Sequence, residues 1–213
     1  MSPREIRKKA REILKTNFKP LALMTLITMA LYLACFILSC IGLGTIAALI
    51  VMPALMLGMV MSVLKAVRGQ EIKVTNLYDG FGCLGRSIWL YYTNSFLTSL
   101  WSLLLIVPGI IKGIEYSMSF YILADNPDWS ASDARNESIR IMQGNKWRYF
   151  CLQMIFIVWI LLSVLTLGIL CIWLAPYMYA ANAAFYEEVK PKKVVYVPIE
   201  ELENQSVSNT NSI

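Results

Sequence analysis

Residues 21–40 pass through twenty positions without a charged side chain, and residues 45–64 do so again. At about 1.5 Å of rise per residue, each run makes a helix of about 30 Å, the thickness of the hydrocarbon core of a bilayer. Of the 213 residues, 57% are hydrophobic and 15% charged, which is outside the usage of soluble globular domains. The chain therefore reads as all-α, a polytopic membrane helix bundle.

The remaining apolar runs extend the pattern. The segment at 41–44 is long enough only for a tight turn, so the first two spans form a hairpin. Residues 87–107 read as a third span, with Trp89, Tyr91 and Tyr92 at interfacial depth, where aromatic rings with a polar edge are favoured. Pro108 and Gly109 close that hairpin, and residues 110–124, about 22 Å as a helix, return as a fourth span. Residues 149–168 and 170–185 form the fifth and sixth, with Pro53 and Pro176 interrupting the second and sixth. The expectation is about six transmembrane helices in three hairpins.

The polar stretches fall between these runs. Residues 65–86 read as a water-facing loop with at most a short surface helix. The chain leaves the membrane at Asp125-Asn126-Pro127. Ser130 or Ser132 then caps a short cytoplasmic helix through Gln143, with Ala131, Ala134, Ser138 and Ile141 on one face and Gly144 ending it. Before the first span, Ile6, Ala10, Ile13, Leu14 and Phe18 recur at helical spacing among basic residues. This predicts an amphipathic interfacial helix over 1–20, separated from the membrane by Pro20. Arg4, Arg7, Lys8, Lys9, Arg11 and Lys15 are its candidate contacts to anionic lipid headgroups. The domain reading is thus 1–20 as interfacial helix, 21–188 as membrane domain and 189–213 as a flexible cytoplasmic tail, too polar to order itself.

With six spans, all the Lys and Arg except Lys112 fall on the side that holds both ends of the chain, and the excess of cations marks that side as cytoplasmic. The five cysteines lie in or beside apolar runs without CxxC spacing, so neither a disulfide framework nor a metal knuckle is supported. Histidine is absent, which removes His-based general bases and triads, and there is no phosphate-binding glycine pattern. The sequence predicts no enzyme, no cofactor, no metal and no nucleic-acid partner.

Ionisable residues inside spans are functional candidates by default. Lys112 and Glu115, three residues apart on one helix face, form the candidate intramembrane charge pair, near the outer boundary in this topology. Asn94, Gln153 and Asn182 are candidates for hydrogen bonds between helices. Asp125, Asn126, Arg135, Arg140, Lys146 and Trp147 mark the 125–148 segment as a candidate docking surface for a protein partner.

The strings LLLIVPGII (103–111), YILADNP (121–127), GNKWRYF (144–150) and LTLGI (165–169), with Pro176-Tyr177 and AAFYE (183–187), resemble the bacterial integral membrane family called domain of unknown function 975. The resemblance extends over nearly all of residues 6–189. It implies a multi-pass protein of the bacterial plasma membrane and supplies no activity. A more distant likeness is to the membrane part of some glycerophosphodiester phosphodiesterases, whose catalytic domain has no counterpart here. Two function classes follow: a non-catalytic scaffold or accessory protein, and a small transporter or lipid-handling protein with Glu115 in its path.

Overall fold

The computed structural model describes residues 3–39, 44–165 and 170–190. Among them the regular elements are helical: α1 (Pro3–Ser39), α2 (Gly44–Val67), a 3-10 helix (Val74–Cys83), α3 (Leu84–Leu104), α4 (Ile106–Tyr116), α5 (Ser119–Asp125), α6 (Ala131–Met142), α7 (Lys146–Leu165) and α8 (Cys171–Val189). The turns expected around Gly42 and Gly168, and the tail from Pro191 onward, lie outside the described residues.

Among the described residues three stretches are long and apolar enough to cross a membrane: Glu5–Leu38 in α1, Ala48–Val67 in α2 and Lys146–Ser163 in α7. Six crossings are not shown. The expected fourth span in particular is two helices, α4 and α5, separated at Ser117 and Met118. Hydroxyls supply the physical reason. Ser117 Oγ donates to the Ile114 carbonyl at 2.7 Å, while Ser138 Oγ of α6 donates to the Glu115 carbonyl at 2.6 Å and accepts from the Met118 amide at 3.2 Å. Side-chain hydroxyls thereby take backbone groups that a continuous helix would use itself.

The N-terminal segment also departs from expectation. No break at Pro20 sets it apart; α1 continues through that residue and bends at Asn17, whose φ of −118° and ψ of 24° are not helical. A proline ring inside a helix clashes with the carbonyl four residues earlier and removes one hydrogen bond, so the preceding turn opens. Part of the apolar face turns into the protein, and Ile13, Leu14 and Phe18 are half-buried. Ile6 and Ala10 are buried in the protein, where α1 packs chiefly on α8 and α2.

In α2, Pro53 leaves the Leu49 carbonyl without its helical donor, and the Tyr92 hydroxyl of α3 donates to that carbonyl at 2.9 Å. The segment 65–86, expected as a water-facing loop with at most a short surface helix, contains the 3-10 helix, which packs along α2 with Leu77 and Gly80 buried. Two glycines permit this approach. A Cβ on Gly58 would lie 2.0 Å from the Leu77 carbonyl oxygen, and one on Gly80 would lie 2.1 Å from that of Ala54. Small residues act similarly on α8, where Ala180, Ala181, Ala183 and Ala184 are buried among its neighbours.

The hairpin between α3 and α4 turns at Leu105, not at Pro108 and Gly109. Pro108 sits in the first turn of α4, where its missing N–H costs nothing. Gly109 packs against Ser102, whose Oγ would lie 2.1 Å from an added Cβ. In α6 the Ser130 hydroxyl accepts from the Asp133 amide at 3.1 Å, and Gly144, at φ 79°, follows the helix in the left-handed region. The inward face of α6 carries Ala131, Ala134, Ser138 and Ile141.

Candidate functional site

Glu115 lies near the end of α4, with its side chain only 7% exposed, and it faces two ammonium groups. Lys112 Nζ donates to Oε2 at 2.7 Å, one helical turn away, and Lys146 Nζ at the start of α7 donates to Oε1 at 2.5 Å. Burial alone would raise this carboxyl, but the hydrogen bonds and charges of the two lysines hold it below the ordinary glutamate range. Glu115 correspondingly raises Lys112, chiefly through their hydrogen bond. Both shifts favour the charged forms of Glu115 and Lys112.

The partnership with Lys146 corrects the expected topology. Lys112 and Lys146 were expected on opposite sides of a hydrocarbon layer of about 30 Å, yet they share one carboxylate. Both belong to one polar layer. The same layer continues through Arg148, which pairs with Glu188 at 2.6 Å, and Arg68, which pairs with Glu187 at 2.7 Å and with Asp125. Lys190 reaches Glu187 at 2.8 Å, and the Tyr186 hydroxyl donates to Asp125 at 3.0 Å. These contacts tie the ends of α2, α5 and α8 to the start of α7.

Sequence reasoning missed Arg68, Glu187, Glu188, Tyr186 and Lys190. The signal was present, because Arg68 follows an apolar run directly and Glu187-Glu188 end another. Charges at the mouths of neighbouring spans are placed to pair.

The expected docking residues divide. Asp125 and Lys146 are engaged internally, and Asn126 donates its side-chain amide to the Ile122 carbonyl. Arg140 pairs with Glu137 on the same helix and stays 62% exposed, while Trp147 is 73% exposed and stacks on Phe150. Arg135 keeps a buried terminal nitrogen without a hydrogen-bond partner. Among the expected headgroup contacts, Arg7 and Arg11 line a groove of about 240 Å³ with Trp159, Trp173 and Tyr177. Lys8 and Lys15 are exposed and Lys9 is half-buried; the Arg4 side chain lies outside the described residues. Gln153 donates to Asn182 at 2.9 Å, linking α7 to α8, whereas the buried Asn94 oxygen has no partner. That oxygen belongs to a cavity of about 380 Å³ lined by Tyr91, Ser95, Thr98, Tyr116 and Ser117 among others, of which Glu115 is not one.

A family model described as "Protein of unknown function (DUF975)" matches residues 95–193. The matched segment starts inside α3 and contains the hairpin tip, the Glu115 triad, α6, α7 and α8. Of the clustered charges named above, Arg68 alone precedes it. No curated protein and no solved structure matches the chain.

Proposed function

We propose that this chain is a non-catalytic scaffold or accessory protein of the bacterial plasma membrane, with both ends of the chain on the cytoplasmic side. The observation that carries this reading is the internal pairing of its carboxylates. Glu115, the one acid expected to serve a transport path, is clamped by Lys112 and Lys146 and does not line the neighbouring polar cavity. Asp125 and Glu187 are likewise held by Arg68 and Lys190. Such pairs hold helices in register and engage these three acids, which are then not free to accept a proton or a cation.

In this reading α8, about 28 Å long and charge-free from Cys171 to Tyr186, is a fourth crossing beside α1, α2 and α7. The basic residues of the first helix meet anionic headgroups, with Arg7 and Arg11 over their aromatic groove. Arg140 and Trp147, the most open of the docking candidates, form the protein-facing surface. The test is purification from native membranes of the wild type and the Trp147→Ala/Arg140→Glu variant. A partner that is lost from the variant at equal yield of the chain supports the scaffold. Proton- or solute-dependent flux in vesicles that Glu115→Gln abolishes would replace it with the transporter reading.

A further inference from the structure

Two residues that cost the fold stability line one cavity. On α3, Asn94 is 9% exposed and its side-chain oxygen has no hydrogen-bond partner, whereas an apolar residue of that size would leave no buried acceptor unmade. On α4, Gly113 lies inside a helix, where glycine is disfavoured against alanine. Gly58, Gly80 and Gly109 answer to close contacts, but a Cβ on Gly113 would meet only Thr98 Cγ2 beyond its own helix, at 3.7 Å, an ordinary contact. Packing therefore does not require glycine at 113. Both residues line the cavity of about 380 Å³ where α2, α3, α4 and α5 meet. Locally unfavourable choices that converge on one space mark a site kept for function.

The lining states what the site accepts. Ser95, Thr98, Ser99 and Ser117 supply hydroxyls, Met56 and Phe120 supply apolar wall, and none of the lining residues is charged. A second cavity of about 410 Å³ shares Met56, Ser117 and Phe120 with the first and adds Tyr121, Tyr149 and Tyr179, again without a charged residue. Apolar walls with a few polar groups, at about 300–1,000 Å³, are the form of a small-molecule pocket. An ion bound here would lack a counter-charge, because Lys112 and Glu115 pair with each other and line neither cavity. The ligand is therefore uncharged. A hydroxyl both donates and accepts, so it supplies the donor that the Asn94 oxygen lacks and accepts from a serine or threonine in turn.

The mouth of the cavity decides where that ligand comes from. Ser95 and Ser99 are exposed, and beside them on α3 so are Phe96 and Leu100. On α4, Ile110, one turn before Gly113, is exposed as well. Apolar side chains at the rim suit acyl chains better than water. We propose that the cavity between α3 and α4 binds an uncharged, hydroxyl-bearing lipid, which donates a hydroxyl to Asn94, packs against the open side of Gly113 and leaves past Phe96 and Leu100 with its acyl part.

The site rests on the membrane reading of the chain but not on its docking surface, so the Trp147→Ala/Arg140→Glu variant keeps it. Full-length protein in detergent is titrated with radiolabelled dioctanoylglycerol, and dioctanoyl phosphatidic acid and glycerol serve as competitors. The probe binds saturably at one per chain, and Asn94→Leu and Gly113→Leu each weaken it at least tenfold. Asn94→Leu melts at or above wild type because it removes the unpaired oxygen, so its loss of binding is not loss of fold. Gly113→Ala, whose Cβ is accommodated, also melts no lower than wild type and binds several-fold more weakly. Absence of saturable binding to wild type would leave the cavity to water and overturn the proposal, as would binding that Asn94→Leu and Gly113→Ala both leave unchanged. Displacement by phosphatidic acid at equal concentration would refute an uncharged ligand. Displacement by glycerol at equal concentration would give the site to a soluble polyol and refute the lipid.

Discussion

Removing Lys146 isolates the contribution of the interaction that joins α4 to α7. Glu115 keeps Lys112 in that variant, so what is lost is one charge-assisted hydrogen bond to a carboxylate 7% exposed, expected to cost about 1.5–3 kcal/mol. Lys112→Ala removes the other bond and falls in the same range. Removing both lysines strands a buried anion, for which the expected loss is about 3–5 kcal/mol. Glu115→Gln alone is milder, because Lys112 and Lys146, 30% and 37% exposed, regain water. Adding Glu115→Gln to the double lysine variant therefore restores part of the loss. Thermal unfolding in detergent of the singles, the double and the triple measures these couplings. Lys146→Ala within about 0.5 kcal/mol of wild type, the behaviour of an ordinary surface change, would refute the argument that Glu115 depends on it.

Other outcomes follow from the same contacts. Because the folded carboxyl of Glu115 lies below its ordinary value, its contribution to stability is present at neutral pH and disappears as the pH falls through the folded value; a melting-temperature series down to about pH 3 should fall less steeply in Glu115→Gln. Gly58→Ala drives a Cβ into the Leu77 carbonyl and should lower the melting temperature by displacing the 3-10 helix, at a cost of about 1–3 kcal/mol, with protease sensitivity rising between Lys73 and Arg86. Tyr92→Phe leaves the Leu49 carbonyl without a donor and should cost about 1 kcal/mol in the same melting assay.

The sequence states some elements outright and conceals others. Periodicity and caps give α6 almost to the residue, because Ser130, the buried stripe from Ala131 to Ile141 and Gly144 are all local signals. The spacing of Lys112 and Glu115 likewise implies their contact, since residues three apart share a helix face. Lys146 is a different case. It lies 31 positions from Glu115, and nothing in the local pattern reports a partner at that separation. The break at Ser117 is hidden for the same reason, because the hydroxyl that holds it open belongs to Ser138 on another helix. The need for glycine at 58 and 80 is hidden likewise, because it comes from the Leu77 and Ala54 carbonyls on another element.

The hidden contacts bear on the expected topology as well as on the packing. Counting cations assigns each charged segment to a side only after the number of crossings is assumed, and an assumed crossing through residues 110–124 isolates Lys112 from the other cations. The Glu115 carboxylate removes that assumption, because it holds Lys112 and Lys146 together, and a single anion cannot bridge two faces of a bilayer. Once Lys112 returns to the common layer, the charge asymmetry that first suggested an exception requires none. The proline at 108 is a further case of a local signal read out of place: it lies in the first turn of α4 and follows the turn at Leu105 instead of making it.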